Sequence, residues 1–107
     1  DKLKLIVGAP GGTTITKGVL QTILNVLDFG MSASDAVSAP RFITTSNTIE
    51  LTNRILRKTE KSLQNLGYPT VRYAVSYATP LVHAIRVSNG DLDAGADPAG
   101  DGLALGI

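Results

Sequence analysis

The stretch GAPGGTT at residues 8–14 stands between an apolar run at residues 3–7 and a segment with helical periodicity that begins near Ile15. Proline fixes its own φ, and adjacent glycines have no side chains, so the amide hydrogens of Gly11 and Gly12 are able to converge on one point. We expect Thr13 or Thr14 to cap the following helix, whose positive end favours negative charge. The stretch therefore predicts a loop between strand and helix that is suited to an anion.

Three interpretations of this loop compete. The first is a plain glycine turn that joins a strand to a packed helix. The second, a phosphate loop, is disfavoured because the Walker pattern needs a lysine and has glycine where Thr13 stands, and the dinucleotide pattern G-x-G-x-x-G is also unmet. The third is an oxyanion hole, in which consecutive backbone N–H groups hold the negative oxygen of a tetrahedral acyl-transfer intermediate.

Around this loop, the pattern of apolar and turn residues predicts an order of strand, two helices, strand, helix and a run of strands. Periodicity indicates helices from Ile15 to the Asp-Phe-Gly closure at residues 28–30, over residues 33–38 and over residues 53–66. Alternation indicates strands at residues 2–7, 48–51, 71–75, 82–87 and 103–107. Asn89-Gly90 predicts a hairpin to a partner at residues 92–94. At 107 residues, the chain is expected to form at most one domain.

Composition argues against several classes of partner. Ten basic and nine acidic residues are spread without runs, which gives no electrostatic footprint for nucleic acid or an anionic membrane. The absence of cysteine rules out a disulfide framework and a thiolate metal site. No apolar stretch reaches the roughly 18 residues that a membrane span needs. We expect neither a cofactor nor a metal.

Other polar residues are assigned structural roles. We expect a structural or surface role for His83, the only histidine, and a loop anchored by Arg41 through a carboxylate. The tyrosines are expected to pack in the core or on the surface. Four aspartates favour turns over calcium, because the twelve-residue calcium loop with its closing glutamate is missing; they are Asp91, Asp93, Asp97 and Asp101.

Longer motifs resemble a known family. Four motifs resemble, in order and spacing, the C-terminal part of the γ-glutamyltransferase (glutathione hydrolase) family. They are LIVGAPGG, VLQTILNVLDFGMSASDAVSAPRF, LQNLGY and VHAIRVSNGDLDAGADPAGDGLALGI. The family often has Arg after Asp97-Pro98, where this chain has Ala99-Gly100. Ile43 replaces a histidine that often follows A-P-R-F, and the last residue is Ile107. The resemblance nevertheless covers nearly the whole chain.

The resemblance implies an α+β fold of the N-terminal-nucleophile hydrolase type, with two stacked antiparallel sheets between helical layers. In that family, a precursor cuts itself, and the new N-terminal threonine attacks the γ-glutamyl carbonyl with its own amine as base. Gly11 and Gly12 match the glycine pair that forms the oxyanion hole and contacts the substrate. Relatives mostly work outside the cytoplasm, and this location is expected here as well.

The resemblance also implies a partner. The chain begins with Asp1 rather than Thr, Ser or Cys, and residues 1–107 are therefore expected to be the C-terminal portion of one such domain, inactive alone. The expected partners are the large subunit, the upstream part of the small subunit and a γ-glutamyl substrate. The alternative is an inactive relative that serves as a structural or binding protein. A threonine at a self-cleavage junction upstream would distinguish the enzyme from this relative.

Overall fold

The loop GAPGGTT at residues 8–14, called the glycine loop below, follows a strand of a three-stranded antiparallel sheet. The computed structural model describes residues 2–10, 12–44, 46–77 and 80–106. It divides into two compact units, residues 2–39 with 80–106 and residues 40–77. The first unit contains β1 (Leu5–Gly8), α1 (Ile15–Leu27), α2 (Ala33–Ser38), β5 (His83–Ser88) and β6 (Asp91–Gly95). The second contains β2 (Phe42–Ile43), β3 (Ile49–Leu51), α3 (Arg57–Asn65) and β4 (Thr70–Arg72).

In the first unit, the strand order is β1-β5-β6, and both pairings are antiparallel. The register sets Gly8 opposite His83 and Ile6 opposite Ile85. The predicted hairpin is confirmed: Asn89 and Gly90 have φ of 52° and 85°, and positive φ at both central residues gives the twist that a two-residue hairpin needs.

Helices cover one face of this sheet. Ala33 and Val37 of α2 form a buried cluster with Val82 and Ala84, and Leu5, Val7 and Ala9 pack against it. We call this side the inner face. Because side chains alternate along a strand, the opposite side, here called the outer face, carries a second set; its members are Ile6, Gly8, His83, Ile85, Val87, Leu92 and Ala94.

The predicted first helix is confirmed at Ile15–Leu27, with Gly30 at φ 68° beyond its end. Its buried residues recur every four positions, at Gly18, Thr22 and Val26. The apolar residues of this helix form a stripe that is wider than the buried row. Leucines on the stripe stay 39–53% exposed, namely Leu20, Leu24 and Leu27.

In the second unit, β3 pairs antiparallel with β2 and parallel with β4, and α3 connects β3 to β4. The predicted helix over residues 53–66 is too long at its start. Asn53 donates its N–H to the Val75 carbonyl (2.9 Å) and accepts from Arg72 Nη1 (3.1 Å), so its backbone is taken up by other contacts before the helix begins. The short strand β2 was not predicted, and residues 103–106 form no strand, contrary to the expectation for the tail.

Candidate functional site

The glycine loop follows directly from the end of β1. Gly8 is the last residue of the strand, Ala9 packs against the buried cluster, and Pro10 is exposed. Gly11 lies outside the residues that the structure describes. The described part of the predicted glycine pair is therefore Gly12.

Gly12 is exposed, and its surroundings are open. A Cβ atom added to it would meet no heavy atom within 4 Å. Its carbonyl accepts a hydrogen bond from the Ile15 N–H (3.2 Å). Within the described ranges, its own N–H donates to no acceptor. This donor is therefore available to a ligand.

The N-terminus of α1 lies three residues beyond Gly12. Thr14 occupies the N-cap position, as expected, but its hydroxyl makes no capping hydrogen bond, so that part of the prediction is wrong. The physical reason is its backbone: φ of −85° and ψ of −8° are helical, whereas a capping side chain needs an extended N-cap residue. The first turn, Ile-Thr-Lys, carries no carboxylate that would compete for the positive end of the helix.

Close packing fixes α1 and thereby the loop. A Cβ on Gly18 would lie 2.5 Å from Pro80 Cγ and 3.3 Å from Val82 Cγ2, so the helix approaches the β5 side with no space for a side chain. Thr22 is buried, and its hydroxyl donates to the Gly18 carbonyl (3.0 Å). The loop therefore connects a paired strand to a tightly seated helix.

A groove of about 710 Å³ borders the loop on the outer face of the sheet. Its lining includes Pro10 and Gly8 from the loop side, His83 and Ile85 from β5, and residues 102–105 of the tail. His83 is the one titratable residue in this lining. It is exposed, in agreement with the expected surface role.

Sequence reasoning missed the place of His83 beside this loop. The register of β1 against β5 sets His83 opposite Gly8, four residues before Gly12. That proximity joins residues 75 positions apart, and no local pattern reveals it.

Two of the four aspartates accept hydrogen bonds from backbone N–H groups. Asp97 is buried and accepts from Val82 N (2.9 Å) and from Ala99 N (2.9 Å), the second contact being the expected aspartate turn. Asp93 does not form a turn: its carboxylate accepts from Ala33 N and from Arg86 Nε, both at 2.6 Å. These bonds, first that from Ala33, hold the pKa of Asp93 below its ordinary value. In the described ranges, no cluster of three or more His, Asp or Glu residues offers a metal site.

The second unit contains a polar network of its own. Glu60 accepts from Arg72 Nε (2.9 Å) and from the Thr70 hydroxyl (2.9 Å), and these two bonds lower the pKa of Glu60. The Tyr73 hydroxyl donates to Glu50 (2.7 Å), which raises the pKa of that phenol.

Two predictions fall in the same unit. Arg41 is buried, and its carbonyl accepts from Thr52 N (3.3 Å) and the Thr52 hydroxyl (3.1 Å). Its pairing with a carboxylate stays a prediction. The guanidinium of Arg54 lies 4.1 Å above the centre of the Tyr77 ring, a surface packing contact of the kind expected for the tyrosines.

The helices in the described part of the chain are shorter than the thickness of a lipid bilayer requires. The longest one in the described part of the chain is α1, with 13 residues, and no helix there is long and apolar enough to cross a bilayer.

Known proteins share both the sequence pattern and this architecture. The chain is 33% identical over 108 residues to the glutathione hydrolase proenzyme of Bacillus subtilis (strain 168), covering 100% of this chain and 18% of that relative. It is similar to a variant of Helicobacter pylori gamma-glutamyltranspeptidase, with a TM-score of 0.78 and 35% identity over 91% of this chain and 54% of the other. It thus spans about a fifth of the proenzyme and about half of the solved chain.

A more distant likeness concerns the fold alone. The cephalosporin acylase from Bacillus halodurans superposes with a TM-score of 0.81 at 24% identity, over 91% of this chain and 19% of the acylase. The family model described as Gamma-glutamyltranspeptidase matches residues 1–107. With the α+β fold of the N-terminal-nucleophile hydrolases and a family match along its whole length, the chain belongs to the gamma-glutamyltranspeptidase family.

Proposed function

We propose that this chain supplies the oxyanion hole of an enzyme that cleaves γ-glutamyl amides, such as glutathione, by acyl transfer. The observation that carries the proposal is the N–H of Gly12, which donates to no acceptor in the described part of the chain and belongs to an exposed residue one turn before α1. The chain belongs to the gamma-glutamyltranspeptidase family, and acyl transfer forms a negatively charged oxygen that such an N–H donor would stabilise. Gly11 is proposed as the second donor, from its place next to Gly12 in the sequence.

The reaction assigns a defined task to these donors. An attacking hydroxyl gives its proton to a base and adds to the γ-glutamyl carbonyl carbon, and the π electrons of the C=O bond move to oxygen. The resulting O⁻ accepts hydrogen bonds from the Gly11 and Gly12 N–H groups, each worth about 3 kcal/mol in the barrier. Collapse of the intermediate restores the carbonyl and expels the amine, which takes up the proton that the base removed from the hydroxyl. Water or an acceptor amine then releases the acyl group.

The nucleophile is proposed to come from another part of the same enzyme. The chain covers 18% of the B. subtilis proenzyme and 54% of the H. pylori chain, so most of such an enzyme lies outside these residues. An upstream small-subunit segment and a large subunit are the proposed partners, and the amide of a γ-glutamyl compound is the proposed substrate. We also propose that the assembled enzyme works outside the cytoplasm.

A pair of substitutions at Gly12 tests the role of its N–H. The chain is combined with, or fused to, the upstream segments, and the release of aniline from a γ-glutamyl anilide is measured. Gly12→Pro removes the N–H, and we expect kcat to fall by roughly 100-fold to 1000-fold. Gly12→Ala keeps the N–H, and its Cβ has open space, so we expect kcat within about threefold of wild type.

Circular dichroism and the thermal midpoint establish that both variants are folded. Full activity of a folded Gly12→Pro enzyme would remove Gly12 from the oxyanion hole. Hydrolysis by the 107-residue chain alone would contradict the assignment of the nucleophile to another segment.

A further inference from the structure

The outer face of the first unit is apolar and largely exposed, with residues 102–106 of the tail along part of it. Ile6, Ile85 and Leu92 are 51%, 37% and 71% exposed, one from each strand of the sheet. The 710 Å³ groove continues along this face into a second hollow of about 480 Å³, which Ile85, Leu92 and Ala94 line together with the tail. A contiguous apolar surface across three strands is typical of a protein contact.

The proposed function identifies what covers this face. Since the chain covers 54% of the H. pylori chain, about half of a comparable chain lies outside these residues. We infer that this missing part, the upstream small-subunit segment proposed above, is the occupant of the face. The inference below rests on that proposal and concerns the chemistry of the contact.

His83 interrupts the apolar outer face. Among the residues that line the groove, His83 alone has a polar side chain; the others are Ile, Val, Leu, Ala, Gly and Pro. The imidazole is exposed to water in this structure. A segment that covers the face removes that water, and a buried polar group without a hydrogen-bond partner is costly.

The surroundings of His83 leave one side open. On the tail side, a Cβ on Gly102 would lie 2.9 Å from His83 Cε1 and 3.4 Å from Ala96 Cβ, so the tail lies close against the edge of the ring. On the β1 side, Gly8 is the cross-strand partner, and a Cβ there would meet nothing within 4 Å. Space for a partner group is therefore available on the side that faces the glycine loop.

We propose that the upstream segment places a hydrogen-bond acceptor, a carboxylate or carbonyl oxygen, against the His83 imidazole. The N–H of the ring donates to this acceptor. Because apolar contacts alone do not fix the position of one layer on another, this directional bond sets the alignment of the segment on the sheet. His83 lies opposite Gly8, so the bond fixes the segment beside the residue at which the loop GAPGGTT begins. His83 is thus a positioning residue.

Chemical labelling tests whether His83 becomes covered. Diethyl pyrocarbonate modifies accessible imidazoles, and His83 is the only histidine of the chain, so peptide mass spectrometry follows it without ambiguity. We expect labelling to be at least about tenfold slower in the assembled protein than in the 107-residue chain. Equal rates would overturn the proposal, and so would a failure of the two parts to associate.

Two substitutions test the hydrogen bond itself. Glutamine retains an N–H donor, whereas leucine is apolar and of similar size. We expect His83→Gln to bind the upstream segment within about threefold of the wild-type Kd, and His83→Leu to bind about tenfold more weakly. Leucine binding as tightly as histidine would show that no such bond forms.

Binding is measured by calorimetry and does not depend on turnover. If the complex forms with the expected order of affinities but releases no aniline, the proposed function fails and the contact stands. If aniline is released while His83 labels at the rate of the free chain, the contact fails and the proposed function stands.

Discussion

Asp97 joins the start of β5 to the loop after β6. Its carboxylate is 2% exposed and accepts from two backbone N–H groups, those of Val82 and Ala99. Asp97→Ala leaves both donors without this acceptor, so we expect the free energy of unfolding to fall by about 2–3 kcal/mol. Urea denaturation measures the change. Asp101→Ala, at an exposed site in the same loop, serves as the control and should change the stability by less than about 0.5 kcal/mol.

Asp93 is expected to make the free energy of unfolding depend on pH. Hydrogen bonds from Ala33 N and Arg86 keep its pKa lowered in the folded state, so the ionised form stabilises the fold. That contribution is fully present above the ordinary Asp pKa of about 3.9 and is lost as the pH falls through the lower folded pKa. We therefore expect wild-type stability to decline as the pH falls below about 4.

Asp93→Asn tests this origin of the acid sensitivity. The decline should become shallower in the variant without disappearing, because the pKa of Glu60 is also lowered. Urea denaturation at a series of pH values gives the two curves. Parallel curves for wild type and variant would show that Asp93 does not contribute.

The contacts of these residues differ in how well they could be predicted from the sequence. The Asp97 turn and the Ser32 cap, whose hydroxyl accepts from Asp35 N (3.1 Å), involve neighbours within three positions, and both were predictable. The Asp93 contact with α2 joins residues 60 positions apart. Such a contact depends on which elements pack together, and local chemistry does not determine that.

At the scale of elements, Gly95 sets how closely α2 approaches the sheet. A Cβ there would lie 2.6 Å from both the Ala33 carbonyl oxygen and Ser34 Cα. Both are backbone atoms, so α2 would have to move to make room. We expect Gly95→Ala to lower the free energy of unfolding by about 1–3 kcal/mol.

The matched control is Gly8→Ala, at another strand glycine. Its added Cβ meets nothing within 4 Å, so we expect stability within about 0.5 kcal/mol of wild type. Urea midpoints with an unchanged m-value distinguish the two variants. Equal stabilities would mean that α2 adjusts to the methyl group without cost.

Element boundaries were predictable where local signals agree. α2 begins and ends where Ser32 and Pro40 indicate, and α1 where its apolar repeat does. α3 begins later than its repeat suggests because tertiary contacts occupy the backbone of Asn53. The two-residue strand β2 exists through its pairing with β3, and so short a segment has no periodicity of its own.

At the scale of the whole molecule, this chain leaves many of its large apolar side chains exposed to solvent. Leu20, Leu24 and Leu27 of α1 and the apolar residues Ile6, Ile85 and Leu92 of the outer face remain exposed. The chain spans 18% of the B. subtilis proenzyme and 54% of the H. pylori chain, and we propose that other segments of such an enzyme cover these surfaces. The family resemblance therefore predicts the fold class correctly, whereas periodicity alone does not show which apolar residues this chain buries.

Ile85 is the central residue of the outer face and tests whether this face makes the proposed contact. Ile85 is 37% exposed, so we expect Ile85→Glu to leave the free energy of unfolding of the 107-residue chain within about 1 kcal/mol of wild type. In the assembled enzyme, the same carboxylate would be buried without a partner, which is strongly unfavourable. We therefore expect γ-glutamyl anilide hydrolysis to fall at least about tenfold, because a cost of 1.4 kcal/mol in assembly already has that effect. Ile85→Val keeps the site apolar and should retain activity within about threefold. If Ile85→Glu assembles and turns over like Ile85→Val, the outer face is not where the remainder of the enzyme packs.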